Sequence, residues 1–131
     1  MIFVDSGAIY AFLVKNDANH VRARQWVKLN QEELLTTDYV LDELLTLLRT
    51  RGEWHRSRST SKKFRTGDLA KLHWVEQHDF NRAWELFDSF EDKDWSFTDC
   101  VSYAVMERLQ IKKAFAFDEH FCQFGIVEVV P

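Results

Sequence analysis

Two short apolar runs in this sequence each end on an aspartate: Ile2-Phe3-Val4 stops at Asp5, and Ala114-Phe115-Ala116-Phe117 stops at Asp118. Runs of three or four apolar residues closed by a polar residue are characteristic of buried strands that halt at a loop. A third run, Leu34-Leu35-Thr36-Thr37, leads into Tyr39–Arg49, where Val40, Leu41, Leu44, Leu45, Leu47 and Leu48 recur at helical spacing. Strands alternating with amphipathic helices need right-handed crossovers and a mainly parallel sheet covered on both faces. The expected fold is therefore a three-layer α/β/α domain spanning residues 1–131.

The remaining elements follow from the same periodicities. Helical patterns cover Ala8–Val14 and His20–Leu29, the latter with Val21, Trp26 and Leu29 as expected buried positions. His73–Glu76 is expected to be a third strand, followed by a helix over His78–Phe90 carrying Phe80, Ala83, Trp84, Phe87 and Phe90. Thr98–Leu109 and Glu119–Phe124 are expected helices, and Ile126–Val130 a last strand. Residues 52–67 are polar, rich in Ser and Arg, and bracketed by Gly52 and Gly67, which fits either a long arm between helices or a mobile loop.

A chain of 131 residues with 46% hydrophobic content can bury a core without disulfides, and no apolar run is long enough to span a bilayer. The N-terminus has no basic segment followed by an apolar stretch and a cleavage site, so a cytoplasmic protein is expected. Cys100 and Cys122 are too few for a disulfide framework and lie in apolar-faced helical segments, where buried thiols are expected. Most of the five tryptophans, at 26, 54, 74, 84 and 95, are expected in the core.

The net charge of −4 argues against a protein that coats nucleic acid non-specifically. The charge is unevenly distributed, however. Arg49, Arg51, Arg56, Arg58, Lys62, Lys63, Arg65 and Lys71 are opposed only by Glu53 and Asp68. With Trp54 and Phe64 interleaved, this stretch has the composition to follow an RNA backbone and stack bases, or simply to form a solvated helical arm.

Chemistry in an open parallel sheet gathers outside the carboxyl ends of the strands. Asp5 and Asp118 follow two different strands and so project from that edge; Glu43 lies early in the helix after the second strand, and Asp99 in the first turn of the helix before the strand that ends at Asp118. Each has a purely structural alternative. Asp5 and Asp118 can cap helices, Ser96-Phe97-Thr98-Asp99 has capping-box spacing, and Glu43 can complement a helix dipole. Four converging carboxylates would repel one another and take up protons unless a divalent cation neutralised them. Oxygen-only ligands suit Mg²⁺ or Mn²⁺. Zinc is disfavoured, because His20, His55, His73, His78 and His120 show no ligand spacing and are expected to be surface or structural residues. Asp42 projects roughly 100° from Glu43 on the helix and is not expected to join the cluster.

Phe3-Val4-Asp5-Ser6, Tyr39-Val40-Leu41-Asp42-Glu43-Leu44-Leu45-Thr46-Leu47, Ser96-Phe97-Thr98-Asp99 with Ser102 one turn on, and Phe115-Ala116-Phe117-Asp118, taken in order, closely resemble the motifs of PIN domains. Their spacing is similar to that of VapC-type toxins, and the resemblance covers essentially the whole chain. It implies an endoribonuclease in which Asp5, Glu43, Asp99 and Asp118 hold Mg²⁺ or Mn²⁺, with Ser6 and Thr98 in supporting positions. It also implies a homodimer and an antitoxin partner that lays a helix into an apolar groove, for which Tyr10, Phe12 and Trp26 are candidates. A stand-alone RNA-processing nuclease and a non-catalytic RNA- or protein-binding module are the alternatives within that resemblance. A haloacid dehalogenase-type phosphatase would need a second Asp where Gly7 stands. The acidic pair of a receiver domain and the glycine-rich phosphate loops are also missing.

Overall fold

The computed structural model describes all residues from Met1 to Pro131. Five strands, β1 (Ile2–Val4), β2 (Leu34–Thr37), β3 (Lys71–His73), β4 (Lys113–Phe115) and β5 (Glu128–Val130), form one sheet in the order β3-β2-β1-β4-β5. Every neighbouring pair is parallel. The seven helices are α1 (Ser6–Leu13), α2 (His20–Leu29), α3 (Asp38–Thr50), α4 (Trp54–Thr66), α5 (Gln77–Ser89), α6 (Phe97–Leu109) and α7 (Glu119–Gln123). The three-layer arrangement expected from the alternation of strands and helices is present.

The central strands are β1 and β4, paired Phe3↔Ala114 and Val4↔Phe115. Because both sheet faces are covered, β1 is apolar throughout and β4 is apolar beyond Lys113, which reaches the sheet rim and pairs with Glu32 at 2.9 Å. Phe3, Phe115 and Phe121 are essentially inaccessible, and Phe3 stacks on Phe121 at 6.2 Å between ring centroids. Fully burying one such ring contributes about 1.5–3 kcal/mol. Thr36 and Thr37 carry hydroxyls into this interior and both are satisfied: Thr36 donates to the Val4 carbonyl at 2.7 Å, and Thr37 accepts from the Val40 amide at 3.1 Å, capping α3.

Several expectations are corrected. β3 lies at Lys71–His73 rather than His73–Glu76: its ladder with β2 ends at Thr37↔His73, and the Val75 amide instead donates to Asp38 Oδ1 at 2.9 Å. Residues 52–67 are not a loop. They hold helix α4, with Thr60 and Phe64 buried and left-handed glycines Gly52 (φ 79°) and Gly67 (φ 78°) following α3 and α4. Val21 and Leu29 are exposed, since α2 turns Ala23 to the core and half-buries Trp26 and Val27. Of the tryptophans only Trp95 is buried; Trp54, Trp74 and Trp84 are exposed. On α5 Ala83 and Leu86 are buried, whereas Trp84 and Phe87, and Phe90 just after the helix, are exposed. Cys100 is buried as expected, but Cys122 is exposed because α7 presents Phe121 to the core.

Candidate active site

Strand order reverses direction of travel at β1: the chain steps outward through β2 and β3, then returns to β4 on the other side. A crevice opens at such a switch point, at the carboxyl ends of β1 and β4. The Asp5 amide donates to the Phe115 carbonyl at 3.1 Å, which pins Asp5 to the seam between these strands. Asp118 leaves the same edge after β4. Asp5, Glu43, Asp99 and Asp118 all line one cleft of about 310 Å³, together with Ser6, Gly7, Leu47, Asp94, Ser96 and His120.

Each acid arrives by a different local device. Asp5 occupies the N-cap position of α1, yet its carboxylate makes no capping hydrogen bond and faces the cleft. Glu43 lies in the second turn of α3, where Ser6 Oγ donates to its Oε2 at 2.5 Å. Asp99 belongs to a capping box, accepting from the Ser96 amide at 3.0 Å while its own amide donates to Ser96 Oγ at 3.0 Å. Asp118 caps α7 through the His120 amide at 2.9 Å. For Asp99 and Asp118 capping and cleft-lining coexist, because one carboxylate can accept several hydrogen bonds.

The charges are concentrated. Burial, followed by the charges of Asp99, Glu43 and Asp118, raises the Asp5 pKa to about 7, against a smaller lowering by the Ser6 amide. No three of the four carboxylates bring an oxygen each within 4.8 Å of one another. The group that does lie that close is elsewhere: Glu76, His78 and Asp79 at the start of α5. There Asp79 is already saturated, accepting from Arg108 (2.5 and 3.0 Å), from the Glu76 amide (3.1 Å) and from His73 (3.2 Å). Burial alone would raise its pKa, but these donors, Arg108 foremost, lower it to about 2. This is a structural ion pair.

His120 and Asp94 were not foreseen as cleft residues. His120 Nδ1 lies 2.9 Å from Asp99 Oδ2 and 3.4 Å from Asp118 Oδ1. Burial depresses its basicity, yet the bond to Asp99 and the charges of Asp118, Asp99 and Glu119 prevail and raise its pKa. Its position two residues after Asp118 was the available signal, since the turn that opens a short helix brings residue i+2 back to its cap. Thr98 does not line the cleft; its carbonyl accepts from Ser102 Oγ at 3.0 Å. The seven cations expected along 49–65 are divided. Arg49, Arg58, Lys62 and Arg65 line a separate groove between α3 and α4, Arg51 stacks on Tyr10 at 4.9 Å, Arg56 binds Glu53 and the Leu13 carbonyl, and Lys63 lies outside the groove.

A fully parallel sheet ordered β3-β2-β1-β4-β5, with acids gathered beyond β1 and β4, is the arrangement of a nuclease-type α/β domain, and residues 2–127 match the PIN domain model. The chain belongs to the PIN domain family. Within that family it is similar along its whole length to the VapC type. It is 33% identical over 131 residues, covering 100% of this chain and 99% of the relative, to the "23S rRNA-specific endonuclease VapC20" of Mycobacterium tuberculosis. The crystal structure of Mycobacterium tuberculosis VapC20, described as a sarcin-ricin loop cleaving toxin, superposes with a TM-score of 0.93 at 30% identity, covering 100% of both chains. FitAcB from Neisseria gonorrhoeae shares the fold, with a TM-score of 0.75 at 12% identity over 100% of this chain and 97% of that one.

Proposed function

We propose that this protein is a metal-dependent endoribonuclease acting as the toxin of a toxin–antitoxin pair, in which residues 1–131 form one nuclease domain and Asp5, Glu43, Asp99 and Asp118 are the catalytic acids. The observation that carries the reading is the assembly of those four carboxylates, from four separate segments, around one cleft. Full-length similarity to a relative named as a 23S rRNA-specific endonuclease supports RNA as the substrate class.

The donor set fits a hard divalent cation. All four principal ligand groups offer only oxygen, the carboxylate charges far outnumber the one basic side chain, His120, and burial together with the neighbouring acids raises the Asp5 pKa to about 7. Asp5 and Asp99 would hold Mg²⁺ or Mn²⁺, with Glu43 and Asp118 completing the shell through water or a second ion. Bound there, the ion supplies Lewis acidity that lowers the pKa of a water and offsets charge growing on the scissile phosphate.

The chain's own groups do the positioning. Ser6 holds Glu43 Oε2, which leaves Oε1 to accept a proton from the attacking water. The Ser96 amide fixes Asp99 and the His120 amide fixes Asp118, so neither carboxylate needs to reorganise during the reaction.

No helix is long and apolar enough to cross a membrane, and we place the protein in the cytoplasm, where its RNA substrate resides. An antitoxin helix would lie against α1 and α2, over half-buried Phe12 and Trp26, with Val21 and Leu29 exposed beside them; Tyr10 is already covered. A homodimer is the expected assembly, and self-association would cover exposed Trp84 and Phe87 on α5.

Asp99→Asn tests the catalytic assignment. Its expected effect is loss of Mn²⁺-dependent RNA cleavage by at least 100-fold in a protein with unchanged circular dichroism, on the order of what removal of a catalytic group costs. Undiminished cleavage by the folded variant would remove Asp99 from the mechanism.

A further inference from the structure

An RNA-cutting site built from acids has an electrostatic problem: its substrate is a polyanion, the cleft repels it, and the chain as a whole carries a charge of −4. One counterweight lies on the other side of α3 from the cleft. Helices α3 and α4 pack together and leave a groove of about 560 Å³ between them. Its lining contains four cations, Arg49 from α3 and Arg58, Lys62 and Arg65 from α4, and no carboxylate.

These cations are free of ion pairs. None has a carboxylate oxygen within 4.0 Å, whereas Arg56, on the same helix but outside the groove, is paired with Glu53 at 3.2 Å and donates to the Leu13 carbonyl at 2.6 Å. On α4 the groove residues Trp54, Arg58, Ser61, Lys62 and Arg65 recur at helical spacing, so one face of the helix carries all of them. From Arg58 to Arg65 that face climbs about 10 Å, room for about three phosphates of a stacked strand at ~3.4 Å each. Trp54 closes one end. It is 43% exposed, and the Arg58 guanidinium lies over its ring at 5.7 Å.

Helix α3 connects groove and cleft. Glu43 and Leu47, one turn apart, face the acids, while Thr46 and Arg49 face the groove, roughly 60° and 120° further round the helix at about 100° per residue. A strand leaving the cleft therefore meets the groove by passing around a single helix.

We propose that the α3–α4 groove is a second RNA-binding site, in which Arg49, Arg58, Lys62 and Arg65 hold backbone phosphates and Trp54 stacks a base of the segment flanking the scissile bond. The proposal rests on the nuclease reading above for the identity of its ligand. An acidic peptide would satisfy the cations but has no use for an exposed indole beside them; a nucleic acid strand uses both.

The test measures binding and turnover separately in the full-length protein. Binding of a fluorescently labelled single-stranded RNA is followed by anisotropy in EDTA, where cleavage is off, and turnover is followed in Mn²⁺. The triple variant Arg58→Gln, Lys62→Gln, Arg65→Gln is expected to weaken binding at least 10-fold and to reduce the slope of log Kd against log salt by about 2, the release expected of three phosphate contacts at about 0.7 each. Its KM should rise with kcat retained. Trp54→Ala should weaken binding about 5- to 100-fold, as loss of one stacked base does, Trp54→Phe should restore most of it, and Lys112→Gln, an exposed cation elsewhere, should change nothing. Equal RNA binding by the triple variant and the native protein overturns the proposal, whatever the cleavage activity. So does competition by polyglutamate as effective as RNA together with a silent Trp54→Ala, which would make the groove an acidic-peptide site. Groove-dependent RNA binding without any cleavage upholds the groove and sinks the nuclease reading alone.

Discussion

Replacing Asp5 by Asn should make the metal-free protein more stable and the enzyme inactive, and the two effects have one cause. Asp5 is 5% exposed, and burial with the charges of Asp99, Glu43 and Asp118 carries its pKa from 3.8 to about 7. The folded state therefore binds a proton that the unfolded state has already released. Stability is lost as pH rises between these two values and stays lost above the higher one. At about 1.4 kcal/mol per pKa unit, the ionised carboxylate costs the fold about 4 kcal/mol at pH 8. Asparagine keeps the shape and removes the charge, so the gap between variant and native protein should be small at pH 4, widen by about 1.4 kcal/mol per pH unit, and level off above pH 7. Urea unfolding in EDTA across pH 4–8.5 reads this directly. At pH 8 the melting temperature should rise by about 10–15 °C, since 1 kcal/mol corresponds to about 3–4 °C for a chain of this length. Adding Mn²⁺ should close the gap from the other side, raising the native melting temperature by mass action and leaving the variant unmoved. A difference that does not change with pH would refute the reasoning, because it would mean that Asp5 is not held in the field of the other three acids.

Two further predictions concern groups outside the cleft. Asp79, fully buried against Arg108, has its pKa lowered to about 2, so its contribution to stability is present above pH 3.8 and lost as pH falls toward 2; Asp79→Ala should cost about 2 kcal/mol in urea unfolding at pH 7, and the cost should shrink in acid. Burial and the neighbouring Asp99 raise the Cys100 thiol to about 11 while Cys122 is exposed, so Ellman's reagent at pH 8 should titrate one thiol in the native protein and two in urea.

The parts of this molecule legible in its sequence are those fixed by local pattern. Apolar runs ending in acids located β1 and the Asp118 edge, helical spacing located α2, α3 and α6 to within a residue or so, and parallel order followed from their alternation. The pattern failed where tertiary context decides. The stretch His73–Glu76 has strand-like residues, but the edge of the ladder is set by Thr37↔His73 and by the Asp38 carboxylate that captures the Val75 amide from another helix. Val21 and Leu29 match an amphipathic stripe, yet α2 is rotated so that small Ala23 lies against the core. Trp84 and Phe87 of α5 are apolar by composition and exposed by placement.

For the site, the sequence by itself determined the chemical inventory: four carboxylates at strand ends and helix starts, and a cationic stretch between residues 49 and 65. Which members of that inventory face one another was decided only by folding. Asp5 is free of capping duty while Asp99 and Asp118 are not, His120 reaches Asp99 across 21 positions that no spacing rule links, and four of seven cations turn into one groove while Arg51 and Arg56 are spent on packing. The physical reason is range. Helix and strand signals arise between residues a few positions apart, whereas a field that moves a pKa or a groove that holds a strand is the sum of charges brought within ångströms from distant parts of the chain.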